Sequence, residues 1–200
     1  MPCYVSTHAR GVWLPSSGAL VALLGAVLVT GGVPPGVALI AYVAAVSLPL
    51  TQADVLFHRL PNRFTVPGLA LAAWAVFAGS LRALDQRLAE GGEITVWVLL
   101  GSLVYGASCA LAWWFGGLGF GDVKLAFLLG AAAGSVGFGV VVLAMGLGVF
   151  GAFLCGLSRL ARVARTRKGV TDGGSGIPIG PALIVGFWLA MVATRWCGTC

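Results

Sequence analysis

Long apolar runs, separated by short breaks rich in glycine, proline or charge, make up most of this chain. The runs cover residues 18–33, 36–53, 64–81, 94–115, 122–134, 136–157 and 179–196. A membrane-spanning helix needs about 20 predominantly apolar residues, and most of the runs approach that length. Only 9% of the residues are charged, against roughly 25% in an average soluble domain. The sequence therefore predicts an all-α polytopic membrane helix bundle of about seven transmembrane helices.

The first run is set apart from the others by Pro34-Pro35-Gly36, which breaks a helix. With Arg10 in front of it this run also looks like a signal peptide, but it lacks a small-x-small cleavage site, so we interpret it as a retained helix. We accordingly divide the chain into a segment 1–35 and a core 36–200. Glycines in later runs predict close helix packing, and with it bundle assembly or a homo-oligomer. They are Gly101, Gly106, Gly146, Gly148 and Gly151.

The basic residues predict the orientation. If all seven runs span, the N-terminus and the loops 54–63, 116–124 and 158–178 share one side. That side holds Arg10, Arg59, Arg63, Lys124, Arg159, Arg162, Arg165, Arg167 and Lys168, and the other side holds Arg82, Arg87 and Arg195. Basic loops stay in the cytoplasm, so this rule predicts a cytoplasmic N-terminus. Merging 122–134 with the next run would send the 159–168 cluster outside, so charge favours a separate helix there.

The net charge of +6 is explained by these orienting loops, and no nucleic-acid partner is expected. The five cysteines include one C-x-x-C pair, Cys197 and Cys200. A single such pair is weak evidence for zinc or redox chemistry, so we expect no metal and no cofactor.

The acidic residues are few, namely Asp54, Asp85, Glu90, Glu93, Asp122 and Asp172. Four of them fall in polar connections that explain them fully. Asp54 and Asp122 instead stand where an apolar run meets a loop of the basic side, and burying a carboxylate there is costly unless it has a role. One interpretation is that each anchors the topology by pairing with a nearby cation, Arg59 or Lys124.

A second interpretation is catalytic. Gly119 and Gly121 strip side chains from the backbone before Asp122, which permits close approach by another segment or positive φ angles. Two carboxylates brought together share one proton. The ionised member can then take a proton from water while the protonated member polarises a peptide carbonyl. This chemistry requires no metal.

Three blocks of the sequence resemble type IV prepilin peptidases. Residues 119–125, Gly-Phe-Gly-Asp-Val-Lys-Leu, followed by Gly130, are similar to the family's G-x-G-D-x-K signature. Asp54, followed by Leu60-Pro61-Asn62, Thr65 and Pro67, resembles the family's first catalytic segment. Residues 177–181, Ile-Pro-Ile-Gly-Pro, resemble the start of its last helix. Together the blocks cover about 36–196 and follow the order of the family's six-helix core.

The resemblance implies an aspartic endopeptidase of the bacterial inner membrane. It would cleave the short basic leader of pilin or pseudopilin precursors at the cytoplasmic face. Asp54 and Asp122 would be the catalytic pair, with Gly119 and Gly121 shaping the loop that presents Asp122 and Lys124 beside it. Larger members carry a cytoplasmic domain with paired cysteines and methylate the new terminus; neither feature is visible here, so the resemblance points to a compact, peptidase-only form.

Two other function classes stay open at this stage. Buried membrane carboxylates also bind cations or relay protons in transporters and channels. Such a protein is expected to show inverted repeats and carboxylates near the middle of the membrane, and neither is evident in the sequence. A scaffold that binds pilins without cutting them is the other alternative, and it would tolerate neutralisation of either aspartate.

Overall fold

The computed structural model describes residues 34–57, 62–84, 89–115, 118–166 and 179–197. In these residues the chain is all-α. The helices are α1 Pro35–Phe57, α2 Asn62–Leu84, α3 Ala89–Trp114, α4 Phe120–Gly134, α5 Phe138–Thr166 and α6 Gly180–Cys197. They pack against one another as a helix bundle, which agrees with the predicted class.

Four of the helices are long and apolar enough to cross a membrane. Their candidate spans are Pro35–Val55, Phe64–Leu81, Glu93–Trp114 and Phe138–Ser158. The predicted number was seven. The predicted span 18–33, and with it most of the segment 1–35, lies outside the described residues. Helix α4 has only 15 residues, about 22 Å at the helical rise and shorter than the hydrocarbon core. The apolar part of α6, Gly180–Trp196, is also short.

Helix α4 lies in the centre of the bundle. It contacts each of the five other described helices, and from Leu128 to Gly134 every residue is buried. This burial follows from its sequence, because the second half of α4 is built mainly from glycine and alanine and leaves room for neighbouring backbones. A helix that is enclosed by protein does not have to match the thickness of the lipid.

The closest neighbour of α4 is α3, and glycines make that approach possible. A Cβ atom on Gly130 would collide with the backbone of Gly101, and one on Gly106 would collide with the ring of Phe127. The prediction of close packing at Gly101 and Gly106 is therefore confirmed. Gly146 does not serve packing among the described helices, because a Cβ there would meet nothing within 4 Å.

A tight turn separates α4 from α5. Ser135 donates from its backbone N–H to the carbonyl of Ala131 at 3.1 Å, and Gly137 follows with φ +154°. L-residues with side chains rarely adopt such an angle, so glycine is required at this position. The prediction that 122–134 and 136–157 form separate helices is confirmed.

Because consecutive helices run in opposite directions, the end of α1 and the starts of α2, α4 and α6 lie at one end of the bundle. We call this the carboxylate end. Two long-range hydrogen bonds join these helix ends. Gly180 N–H donates to Asp54 Oδ2 at 3.1 Å, and Lys124 Nζ donates to Asn62 Oδ1 at 2.9 Å. Asp54 and Asp122 are thus on the same side of the bundle, as predicted.

Candidate active site

Asp54 lies in the last turn of α1 and is only 5% exposed. An apolar helix places it there, because the run that forms α1 continues almost to this residue. One of its carboxylate oxygens, Oδ2, accepts the hydrogen bond from the backbone N–H of Gly180, the first residue of α6. This bond is buried. The carboxylate is therefore held by a main-chain donor from the far end of the sequence.

Asp122 is the third residue of α4 and is 7% exposed. Its backbone N–H donates to the carbonyl of Gly119 at 3.0 Å, and its Oδ2 accepts from the N–H of Gly119 at 3.3 Å. The other oxygen, Oδ1, is buried and has no hydrogen-bond partner. Buried polar atoms are rarely left in that state, so this oxygen calls for a partner such as a bound water or a substrate group.

The two carboxylates meet beside Gly180. A Cβ atom placed on this glycine would lie 2.8 Å from Asp54 Oδ2 and 3.5 Å from Asp122 Oδ1. The two oxygens are thus no farther apart than these two distances taken together, and both carboxyls border the same point of the bundle. The structure brings together the two aspartates that the sequence singled out.

Their proximity changes the acidity of Asp122, which lies outside the four candidate spans. The pKa of its carboxyl is raised from 3.8 to about 6. Burial is the largest cause, since it disfavours the charged form, and the negative charge of Asp54 acts in the same direction. The hydrogen bond from Gly119 opposes both. Asp122 therefore keeps its proton to a higher pH than an ordinary aspartate does.

Lys124 lies in the same helical turn but does not pair with Asp122. Its ammonium bonds to Asn62 and lies 4.9 Å from the centre of the Phe120 ring. The interpretation of Asp122 and Lys124 as a topology-anchoring ion pair is therefore wrong. The corresponding prediction pairs Asp54 with Arg59, and Arg59 lies outside the described residues.

Neither Gly119 nor Gly121, the glycines before Asp122, has an unusual backbone angle. Gly119 has φ −80° and ψ 146°, an extended conformation that any residue adopts. Gly121 is helical in the first turn of α4, and neither glycine is among those with positive φ. A Cβ on Gly119 would lie 3.3 Å from Asp122 Oδ2. That is tight, so a side chain there would press on the carboxylate.

Three further polar contributors at the carboxylate end were not assigned roles from the sequence. They are the amide of Gly180, the side chain of Asn62 and the hydroxyl of Thr65. Thr65 is 1% exposed and its Oγ1 has no hydrogen-bond partner. Asp54, Thr65 and Asp122 are the buried polar residues of the described chain, and all three lie at this end. In the sequence Gly180, Asn62 and Thr65 were visible only as members of the blocks that resemble prepilin peptidases.

The opposite end of the bundle has a cavity of about 390 Å³. It is lined by the start of α1, the turn after α4 and the end of α6, with Thr95, Ser135 and Arg195 as its polar residues. This cavity is remote from both aspartates. Within the described residues, no three or more His, Cys, Asp or Glu side chains gather as a metal site would require.

Comparison of the chain with protein-family models, with curated proteins and with solved structures finds no match. The chemistry available to the site is that of its own groups. They are two buried carboxyls that interact, a glycine amide that holds one of them, and a lysine–asparagine hydrogen bond beside the other.

Proposed function

We propose that this protein is a membrane aspartic endopeptidase whose catalytic pair is Asp54 and Asp122. One observation carries the proposal. Two buried carboxyls, from helices that are distant in sequence, lie beside Gly180 and interact electrostatically. Charged groups are expensive in such a protein and are usually retained for function.

The reaction follows from the pair. A water molecule between the carboxyls gives a proton to the ionised aspartate as its oxygen attacks the peptide carbonyl carbon. The protonated aspartate donates a hydrogen bond to the carbonyl oxygen, which becomes the oxyanion of the tetrahedral intermediate. Collapse of the intermediate breaks the C–N bond, and the leaving nitrogen takes up a proton from the pair. The products are a carboxylate and a new amino terminus.

We propose as substrate a precursor with a short basic leader before an apolar helix, as in pilin and pseudopilin precursors. The resemblance to prepilin peptidases supports this choice. So does the position of the pair at an end of the bundle, because a peptide next to an apolar helix is reached at the membrane surface. Proton-relaying transporter carboxylates are expected nearer the middle. Gly119, Gly121 and Lys124 would support the loop and first turn that carry Asp122.

The same proposal places the protein in a bacterial inner membrane with the carboxylate end in the cytoplasm. The distribution of basic residues supports this orientation. It further requires α4 and α6 to complete their crossings despite their length, giving a six-helix core plus the N-terminal span 18–33. For α4 this is physically reasonable, since other helices enclose it and it need not meet lipid.

The direct test is cleavage of a model prepilin by the purified protein in lipid vesicles, with and without chelator. Asp54→Asn and Asp122→Asn each remove one member of the pair and should lower the cleavage rate by about 10²-fold to 10⁴-fold, the range for general acid–base groups. Glu93→Gln is the matched control. It neutralises an exposed carboxylate on α3 that accepts from Trp97 Nε1 at 3.3 Å, and it should cleave at the wild-type rate.

Each outcome decides between the function classes. Loss of cleavage in both aspartate variants, with chelator harmless, supports the two-aspartate mechanism. Cleavage that persists in either variant excludes it. A wild-type protein that binds the precursor without cutting it is a scaffold. If it cuts nothing and the aspartate variants change cation or proton flux into the vesicles, the protein is a transporter.

A further inference from the structure

We propose that Gly180 is a positioning residue that assigns the two carboxyls their roles, with Asp54 as the ionised base and Asp122 as the protonated acid. The inference rests on the proposed function, because roles of base and acid have meaning only for a catalytic pair. The protonation pattern itself is a property of the site and can be measured without any substrate.

The evidence for Asp54 is its donor. The first N–H groups of a helix have no acceptor within the helix, and in α6 the helical bonds begin with Leu183 N–H to the Ile179 carbonyl at 3.1 Å. The N–H of Gly180 instead donates to Asp54 Oδ2, in a buried setting. The positive end of the α6 dipole lies at the same point. Both effects stabilise a carboxylate in its ionised form.

The evidence for Asp122 is the lack of a donor at one oxygen. Its Oδ1 is buried with no hydrogen-bond partner, so no protein donor stabilises a negative charge on that atom. Its Oδ2 accepts from Gly119 at 3.3 Å, a longer bond than that at Asp54, and Gly119 is itself exposed to solvent. A protonated Asp122 would have its own hydrogen to donate, as a general acid requires.

The surrounding charged and titratable groups support the same division. Asp122 interacts with Asp54 on α1 and with the Cys109 thiol on α3. Lys124, on its own helix, directs its ammonium to Asn62 on α2. No described cation therefore compensates a charge on Asp122. Two like charges this close share one proton, and the proton stays on the member whose ionised form is less stabilised by its surroundings.

Glycine is required at position 180 because of the short distance to Asp54. A Cβ there would lie 2.8 Å from Asp54 Oδ2, so Gly180→Ala must displace the carboxylate and weaken the N–H bond. Gly151→Ala is the matched control. Its new Cβ would lie 3.5 Å from the Ala182 Cβ, which is an ordinary contact between α5 and α6.

The first measurement is labelling by an apolar carbodiimide, which reacts with protonated carboxyls, followed by mass-spectrometric mapping in the wild type. We expect at neutral pH at least about tenfold more adduct on Asp122 than on Asp54, the ratio that a tenfold difference in protonation produces. Asp122 labelling should fall as pH rises through about 6. Preferential labelling of Asp54 would overturn the assignment, whether or not the protein cleaves a precursor.

The second measurement tests Gly180. In Gly180→Ala the labelling ratio should approach one, and in Gly151→Ala it should stay at the wild-type value. An unchanged ratio in Gly180→Ala refutes the positioning role. If Gly180→Ala does not fold, the hydrogen bond from Gly180 to Asp54 can still be tested by NMR in the wild type and in Asp54→Asn. Ile179–Gly180 is the only Ile-Gly pair in the sequence, so ¹³C-isoleucine and ¹⁵N-glycine labelling gives one NMR signal for the Gly180 N–H. That signal should move in Asp54→Asn, and a stationary signal would also refute the role.

Discussion

Asp122→Asn should make the protein more stable at neutral pH although it removes a catalytic group. In the folded protein the pKa of Asp122 is raised from 3.8 to about 6. Well below pH 3.8 the carboxyl is protonated in both the folded and the unfolded chain, so it contributes no penalty. As pH rises towards 6 the unfolded chain ionises first, and the folded state becomes progressively less favourable. Above pH 6 the whole penalty is present.

The size of the penalty follows from the same values. One pKa unit corresponds to about 1.4 kcal/mol, so the rise amounts to of the order of 3 kcal/mol. Solvent screening reduces it little, because Asp122 is only 7% exposed. An asparagine has a similar shape and carries no charge at any pH. The free energy of unfolding of the variant should therefore exceed that of the wild type by up to this amount well above pH 6. The difference should shrink as pH falls through 6 and should vanish only well below pH 3.8.

The assay is thermal unfolding of both proteins in the same detergent at intervals from about pH 3 to about pH 8, which brackets both pKa values. Glu93→Gln is the control for loss of an exposed carboxylate. Asp54→Asn gives an internal check. The charge of Asp54 is one cause of the raised pKa of Asp122, so removing it should move the wild-type decline in stability to lower pH. Parallel stability curves for the wild type and Asp122→Asn across this range would show that the carboxyl is not desolvated as described.

Three further predictions concern activity and packing. The cleavage rate should fall about tenfold for each pH unit above the pKa of Asp122, because the general acid must be protonated; a rate that is flat from pH 6 to pH 8.5 would contradict this. Gly106→Leu should destabilise the bundle by about 1–3 kcal/mol or prevent its assembly, since a ring of α4 occupies that space, whereas Gly146→Leu should leave the thermal midpoint unchanged. Lys124→Met should lower the cleavage rate severalfold, because it breaks the hydrogen bond to Asn62 that joins α4 to α2. The loss of this exposed bond should cost at most about 1 kcal/mol of stability. An unchanged cleavage rate would show that Lys124 does not support the site.

The helices themselves could be predicted from the sequence, because a helix is formed by residues that are close to one another along the chain. Each described helix follows an apolar run that the sequence already displays, and Gly137 marks the break between α4 and α5 through its backbone angle. The two aspartates were also visible. A carboxylate at the end of an apolar run has an evident cost, and that cost can be recognised without knowing its neighbours.

Tertiary structure decided which apolar runs face lipid and which are enclosed by other helices. It also decided which helices pack against each other. The sequence predicts a transmembrane span over 122–134, yet α4 is too short to be one by its own length and is enclosed by the other helices. Hydropathy records how apolar a segment is, and an enclosed helix is as apolar as a lipid-facing one.

The contacts that complete the site were likewise beyond the sequence. Asp54 and Gly180 are 126 positions apart, and Asn62 and Lys124 are 62 positions apart. Glycine has no side chain that could mark its amide as a donor, and a lysine two residues after an aspartate suggests a local ion pair until the fold shows a different partner. The sequence alone determined which carboxyls had to be explained. Their meeting beside Gly180 required the folded bundle, because only packing brings the end of α1 to the starts of α4 and α6.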